Sequence, residues 1–115
     1  MEISVDQYGS KTVVKLLENR LDAAMAVRFK DALKTVVDDG ADFMILDMSD
    51  VGFMDSSGLG AVVAHMKYMG TERNFEIANL TPTVEKVFKL TRMDSVFRIH
   101  KTVADAIPED LESAV

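Results

Sequence analysis

The segment Val51-Gly-Phe-Met-Asp-Ser-Ser-Gly-Leu-Gly60 marks the point where a predicted strand gives way to a predicted helix. Before it, residues 43–46 form an apolar run without alternation, which is typical of a central parallel strand covered on both faces. From Leu59 onward, apolar residues recur at helical spacing, so the helix should begin at the two serines. Ser56 and Ser57 are therefore expected at a strand-to-helix junction, which is the candidate functional site.

The rest of the chain continues this alternation in a β-β-α-β-α-β-α-β-α order. The other strands are expected at residues 3–5, 13–17, 75–78 and 96–99, of which the first two form an antiparallel pair. The other helices are expected at residues 23–38 after an Asp22 cap, after Thr81-Pro82, and after Thr102, where Thr102-Val-Ala-Asp105 resembles a capping box.

This order predicts a single α/β domain. Crossovers between parallel strands are right-handed, so a sheet whose neighbouring strands are also neighbours in sequence would carry its crossover helices on one face. We therefore expect a mixed, mainly parallel sheet of four to five strands with the helices mostly on one face. The domain should span residues 1–108, and the acidic residues 109–115 should form a frayed C-terminal tail.

The composition narrows the class of protein. With 115 residues, 48% of them apolar and 28% charged, the chain has the size and composition of one globular domain. A net charge of −6 disfavours nucleic acid and anionic membrane as partners, because both require clustered basic residues. The absence of cysteine excludes disulfides and thiol catalysis. No apolar run approaches the roughly 20 residues of a membrane span and no signal peptide is evident, so we expect a cytoplasmic protein without membrane insertion.

The predicted junction has the chemistry of a phosphate acceptor. The first turn of a helix carries unpaired N–H donors and the positive end of the helix dipole, which together favour an anion. Ser56 is therefore a chemically sensible acceptor. The alternative is that Asp55 or Ser56 only caps the helix, with Gly58 and Gly60 present for backbone clearance. The residue pattern alone leaves both interpretations open.

Other chemistries fit this junction poorly. A nucleophile elbow requires Gly-x-Ser-x-Gly, but Met54 stands two residues before Ser56. Neither His65 nor His100 is positioned as a base, so an esterase-like triad is not expected. Gly58-Leu-Gly60 lacks the pattern of a phosphate-binding loop. The two histidines show no metal-ligand spacing, so we expect neither a metal nor a cofactor.

The segment Phe53-Met-Asp-Ser-Ser-Gly-Leu-Gly60, set between an apolar strand and an amphipathic helix, is one of several motifs that match a known family. The others are Leu21-Asp22, Met44-Ile-Leu-Asp47, Asn79-Leu-Thr-Pro82-x-Val84, Leu90-Thr91 and Val96-Phe97. Together they resemble the anti-sigma factor antagonists of the STAS domain family, and the resemblance covers almost the entire chain.

The resemblance implies a bacterial partner-switching protein that catalyses nothing itself. Its unphosphorylated form would bind a serine kinase that also acts as an anti-sigma factor, and would release the target which that kinase sequesters. The family's acceptor is the serine directly after the aspartate, which maps onto Ser56. Phosphorylation there would end the interaction, and a metal-dependent serine phosphatase would reset the switch. An alternative is a STAS adaptor subunit of a transport or signalling assembly without a phosphorylation cycle.

The expected partner surface surrounds the acceptor. Met54, Leu59 and Met93 could form its apolar centre, or could pack in the core instead. Asp22 matches a contact position of the family and also looks like a helix cap. The full expected set is Asp22, Met54, Asp55, Ser57, Gly58, Leu59, Gly60 and Met93.

Three segments depart from the family pattern. Asn19-Arg20 replaces a glycine that many relatives carry before Leu-Asp, and Glu72-Arg73-Asn74 replaces the usual Gly-Gly before the fourth strand. Thr91-Arg92-Met93 replaces Thr-Gly-Leu after the third helix, so the choice of partner could differ from that of the relatives.

Overall fold

A computed structural model describes residues 1–108, and the predicted acidic tail at residues 109–115 lies outside the described part. The strands are β1 (Ile3–Tyr8), β2 (Lys11–Leu16), β3 (Arg20–Leu21), β4 (Phe43–Asp47), β5 (Phe53–Met54), β6 (Asn74–Ala78) and β7 (Ile99–His100). The helices are α1 (Ala23–Asp38), α2 (Ser56–Met69), α3 (Pro82–Leu90) and α4 (Val103–Ala106), with a 3-10 turn at Met93–Ser95.

The main sheet has five strands in the order β1-β2-β4-β6-β7. β1 and β2 form an antiparallel hairpin, and every other pair in this sheet is parallel. Neighbours in the sheet are thus successive strands of that sheet along the chain, which confirms the predicted mixed, mainly parallel architecture. β3 and β5 form a separate, two-stranded parallel pair.

The two faces of the main sheet have separate hydrophobic clusters. The larger cluster joins α1, α2 and α3 to the side chains of Val14, Met44 and Ile77. Ile45, which follows Met44 on the opposite side of the pleat, packs on the other face with Ile107, just after α4. The three long helices therefore share one face, as the crossover rule predicts, and α4 covers part of the other.

Several element boundaries match the sequence-based predictions. α1 spans the predicted residues 23–38, and α2 begins at Ser56 and ends before Gly70, whose φ is +73°. Thr102 Oγ1 accepts a hydrogen bond from the Asp105 backbone N–H at 3.1 Å, which confirms one half of the predicted capping box.

The predicted last strand at residues 96–99 is wrong in its position. The backbone N–H groups of Val96 and Phe97 both donate to the carbonyl of Met93, so this segment closes a 3-10 turn. Phe97 turns into the core and packs edge-on against Phe75 and Phe88. Aromatic burial has overridden the local strand preference, and β7 begins later, at Ile99.

His65 is a core residue of α2 that is only 2% exposed. Its ring lies against Phe29, Tyr68 and Phe75, with ring centroids 6.4, 6.5 and 4.8 Å away. Within residues 1–108, its Nε2 atom has no hydrogen-bond partner. Burial lowers the pKa of His65 to about 4, because the charged imidazole loses its hydration. The fold therefore holds a neutral imidazole near pH 7.

This burial predicts a loss of stability in acid. The unfolded chain takes up a proton on His65 near its ordinary pKa of 6.5, whereas the folded chain does so only near 4. The free energy of unfolding should therefore fall as the pH drops from 6.5 towards 4, by about 2 kcal/mol at pH 5. Urea unfolding at about pH 7.5 and pH 5 should show this extra loss in the native protein but not in His65→Phe. Equal losses in the two proteins would contradict the prediction.

Candidate functional site

The candidate site lies where two strand-to-helix junctions run side by side. In the parallel β3–β5 pair, Arg20 is opposite Phe53 and Leu21 is opposite Met54. Each strand is followed by an aspartate at the N-cap position of a helix, which for α1 and α2 are Asp22 and Asp55 respectively. The first turns of α1 and α2 therefore begin next to each other.

Asp55 links the starts of both helices. Its Oδ1 atom accepts a hydrogen bond from the Gly58 N–H at 2.9 Å, which caps α2. Its Oδ2 atom accepts a hydrogen bond from the Ala23 N–H at 3.3 Å, in the first turn of α1. These N–H groups have no partners within their own helices, and a negative charge is favourable at both helix N-termini. The predicted capping role of Asp55 is thus confirmed, and it extends to a second helix.

Asp22 occupies the predicted cap position of α1, but its side chain forms no capping hydrogen bond. Its Oδ2 atom instead accepts a hydrogen bond from Arg20 Nε at 3.1 Å, and this contact lowers the pKa of the Asp22 carboxyl. The buried Oδ1 atom has no partner among the residues that the structure describes. A capping side chain at Asp22 would accept from the N–H of Ala24 or Met25, but the Met25 N–H donates to the backbone carbonyl of Asp22 at 3.0 Å.

Ser56 and Ser57 are the first two residues of α2, and both are exposed. In the described part of the chain, neither hydroxyl has a hydrogen-bond partner. His65 lies nine residues further along α2, about 13 Å along the helix axis, and His100 bonds Glu76 at 2.7 Å. The Ser56 hydroxyl is therefore exposed at the positive end of a helix, with neither histidine beside it.

The two glycines of the segment have different surroundings. Gly58 is buried, and a Cβ atom there would overlap the carbonyl oxygen of Leu21 and lie 2.9 Å from Met54 Cγ. A Cβ atom at Gly60 would meet no atom within 4 Å. Only Gly58 is thus needed for backbone clearance, because it lets the first turn of α2 rest on β3.

The apolar residues of the expected partner surface are largely buried. Met54 is 4% exposed and Leu59 is 8% exposed, and both belong to the main core cluster. Met93 packs against that cluster and is partly buried. The structure therefore places Met54 and Leu59 in the core, the alternative that the sequence left open, and their part in partner binding stays a prediction.

Arg20 and Phe53 are surface residues of the junction that the sequence analysis did not place at the site. Phe53 is an exposed aromatic residue, and the Arg20 guanidinium carbon lies 4.5 Å from the centre of its ring. The alternation of exposed Arg20 and Phe53 with buried Leu21 and Met54 has the two-residue period of a strand. This period could have indicated the two strands in the sequence, but a strand of two residues is too short for the period to be recognised.

Two further features bear on the chemistry of the described residues. Within residues 1–108, no three histidine, aspartate or glutamate side chains are grouped so that they could hold a metal ion. In the same range, no helix has both the length and the apolar character that a membrane crossing requires.

Comparison with known proteins places the chain in a family. Residues 2–106 match the STAS domain, and the chain belongs to the STAS domain family. It is 26% identical to the anti-sigma-F factor antagonist RsfB of Mycobacterium tuberculosis over 91% of this chain and 85% of that protein. It is 26% identical to the anti-sigma-B factor antagonist of Bacillus subtilis over 86% of this chain and 92% of that protein.

Solved structures agree with this assignment. The crystal structure of an anti-sigma factor antagonist from Mycobacterium paratuberculosis superimposes with a TM-score of 0.83 at 26% identity. The match covers 94% of this chain and 92% of that one. The strand order and the helix positions described above are therefore those of a STAS domain.

The contact between α2 and β3 predicts opposite effects of alanine at the two glycines. Gly58→Ala should lower the free energy of unfolding by about 1–3 kcal/mol, because the added methyl group displaces α2 from Leu21. Gly60→Ala is the matched control and should raise it by roughly 0.5–1 kcal/mol, because alanine favours the helix. Chemical denaturation measures both changes. A Gly58→Ala protein as stable as the native one would contradict the close approach.

The two N-cap aspartates should also differ in how much each contributes to the free energy of unfolding. Asp55→Ala removes hydrogen bonds to both α1 and α2 and should lower the free energy of unfolding by about 1–2 kcal/mol. Asp22→Ala should have a smaller effect, because its carboxylate forms no capping hydrogen bond and interacts only weakly with the first-turn N–H groups of Ala24 and Met25. Thermal unfolding of the two variants at one pH makes the comparison. A larger loss from Asp22→Ala than from Asp55→Ala would show that Asp22 provides the cap of α1.

Proposed function

We propose that this protein is an anti-sigma factor antagonist that acts by partner switching in the bacterial cytoplasm. Its unphosphorylated form binds a serine kinase that is also an anti-sigma factor, and so frees the factor that this kinase sequesters. The kinase phosphorylates Ser56, which ends the complex, and a serine phosphatase restores the hydroxyl. The observation that carries the proposal is the exposed Ser56 hydroxyl at the first residue of α2. The names of the relatives in Mycobacterium and Bacillus support it.

In the proposed phosphoryl transfer, this protein is the substrate and the kinase is the catalyst. The Ser56 oxygen attacks the terminal phosphorus of ATP, the bond to the bridging oxygen of ADP breaks, and the hydroxyl proton passes to a base of the kinase. The protein's own histidines take no part, since His65 is in the core and His100 is paired with Glu76. Water then cleaves the phosphoserine in the phosphatase.

The switch is local and electrostatic. A phosphoserine carries a charge of about −1.5 to −2, and it would stand next to the Asp55 carboxylate. In an interface fitted to a neutral hydroxyl, this charge adds repulsion and a desolvation cost, and each 1.4 kcal/mol weakens binding about tenfold. The helix itself tolerates the phosphate, because an anion is favourable at its N-terminus. Binding is therefore lost while the fold is kept.

The partner surface is built around the first turns of α2. Ser57 and Gly60 lie three residues apart in the helix, so they share one exposed face beside Ser56. Asp22 borders this face from α1, and Met93 is partly exposed near the end of α3. The buried members of the set shape the surface from beneath, and they are Met54, Gly58 and Leu59.

The proposal predicts which serine is modified. Incubation with ATP and a kinase of the anti-sigma type should add one phosphate to the native protein and to Ser57→Ala, but none to Ser56→Ala. Mass spectrometry of the digested protein measures the site. Modification of Ser57 alone, or of neither serine, would contradict the proposal. Recovery of a permease or an ATPase in place of a kinase from a pull-down would favour the adaptor function.

The charge argument predicts the affinities of three variants. Ser56→Ala should bind the kinase about as tightly as the native protein does, whereas Ser56→Asp should bind at least about tenfold more weakly. Ser56→Asn has nearly the same shape as Ser56→Asp without its charge, so it separates repulsion from bulk. Isothermal titration should place Ser56→Asn closer to the native protein than to Ser56→Asp. Equal losses in both variants would show that size, and not charge, ends the interaction.

A further inference from the structure

Arg20 is a positively charged residue that two contacts hold at the edge of the acceptor turn. Its Nε atom donates to Asp22 Oδ2 at 3.1 Å, and its guanidinium carbon lies 4.5 Å from the centre of the Phe53 ring. Its side chain is 57% exposed. Within residues 1–108, neither terminal nitrogen of the guanidinium has a hydrogen-bond partner. The planar group is therefore oriented by Asp22 and Phe53, while its two terminal nitrogens remain open to an anion.

The pairing of β3 with β5 places Arg20 at the same strand-to-helix junction as Ser56. Arg20 is opposite Phe53 and Leu21 is opposite Met54, so two residues beyond Arg20 and Phe53 the two chains reach Asp22 and Asp55. The bond between the Ala23 N–H and Asp55 Oδ2 shows that the chains are still adjacent at that level. The guanidinium contacts the Asp22 carboxylate, and from the level of Asp22 the backbone at Ser56 lies about one strand spacing across, roughly 5 Å, and one residue step further along, roughly 4 Å.

We infer that Arg20 is the binding residue for the phosphoryl group on Ser56, and that it leaves Asp22 when that group is present. This inference rests on the proposed phosphorylation of Ser56. A phosphate offers up to two negative charges and three acceptor oxygens, whereas the Asp22 carboxylate offers one charge and a single hydrogen bond to Arg20. Guanidinium and phosphate match in a bidentate geometry. The Arg20 side chain is 57% exposed and that of Asp22 is 21% exposed, so water on the Arg20 side weakens this pair relative to a fully buried one.

When Arg20 moves from Asp22 to the phosphate, one modification alters the surface charge both at Ser56 and at Asp22. Of the charged groups that the β3–β5 junction brings together, Asp22 and Asp55 would repel a phosphate on Ser56, whereas Arg20 would attract it. As Arg20 moves to the phosphate, the Asp22 carboxylate, which is 21% exposed and whose Oδ1 atom has no partner among residues 1–108, loses its hydrogen bond to Arg20. Asp22 belongs to the expected partner surface, so the kinase meets a new unpaired charge there in addition to the phosphate. Arg20 also offsets repulsion between the phosphate and Asp55, and so helps to keep the α2 cap in place.

The experiment installs the phosphoserine at position 56 during translation, with an expanded genetic code, so that no kinase is required. A ³¹P NMR titration then gives the second pKa of the phosphate, which is about 6 for an ordinary phosphoserine. Removing a cation near the phosphate raises this pKa. Arg20→Ala should therefore raise it by about 0.5–1 relative to the phosphorylated native sequence. Arg20→Gln keeps most of the stem over Phe53 and should give the same rise.

Arg73→Ala is the matched control. It removes the same charge, but Arg73 Nη1 bonds the carbonyl of Met69 at the last residue of α2, about 20 Å along the helix from Ser56. It should leave the phosphate pKa unchanged to within about 0.2. A phosphate pKa that is the same in the native sequence, Arg20→Ala and Arg20→Gln would overturn the inference, and so would a rise of equal size in Arg73→Ala.

The two proposals fail separately. If the kinase modifies Ser56 but the Arg20 variants leave the phosphate pKa unchanged, the proposed function stands and the role of Arg20 is overturned. If no kinase modifies Ser56 but the installed phosphate still senses Arg20, the proposed function fails and the pairing stands. Far-ultraviolet circular dichroism confirms that each variant is folded before the titration.

Discussion

The geometry of the site depends on one carboxylate, that of Asp55. It accepts hydrogen bonds from the first turns of two helices that leave neighbouring strands. A carboxylate has two oxygens, so it can satisfy two helix starts only if those starts lie within a few ångströms of each other. The pairing of β3 with β5 enforces that spacing, and the missing side chain at Gly58 allows α2 to rest on the backbone of Leu21. The position of Ser56 follows from these three constraints.

In this arrangement, the contacts that fix the start of α2 do not involve the Ser56 side chain. The groups that fix the start of α2 are backbone N–H groups, the Asp55 carboxylate and a buried glycine, and none of them is the Ser56 hydroxyl. The serine can therefore be altered without loss of a structural contact. Charge at the helix N-terminus is tolerated by the helix dipole, whereas a partner in direct contact must accommodate the same charge in an interface. Under the proposed function, a phosphate on Ser56 would therefore be tolerated by the fold but opposed in the interface with the partner.

The sequence predicts the periodic parts of this fold and loses accuracy where contacts are not local. The bounds of α1 and the start of α2 follow from helical spacing and caps, and the parallel sheet follows from the apolar run of β4. β3 and β5 escape prediction because two residues carry no measurable period. The cap of α1 comes from Asp55, 32 residues after Ala23, which no local pattern reveals. Likewise, Phe97 lies outside any strand because it packs against Phe75 and Phe88, which come from other segments of the chain.

The smallest helix has a practical consequence for engineering. α4 and the residue after it bring Ala106 and Ile107 onto the face of the sheet opposite the three long helices, where they contact Val13, Ile45 and Ala78. A truncation before Thr102 would strip this cover from the central strands and leave an apolar strip facing water, which favours aggregation. A fluorescent tag or affinity handle should therefore not replace residues 102–107. The reverse face of the sheet, and not the serine, thus sets where the chain can be shortened.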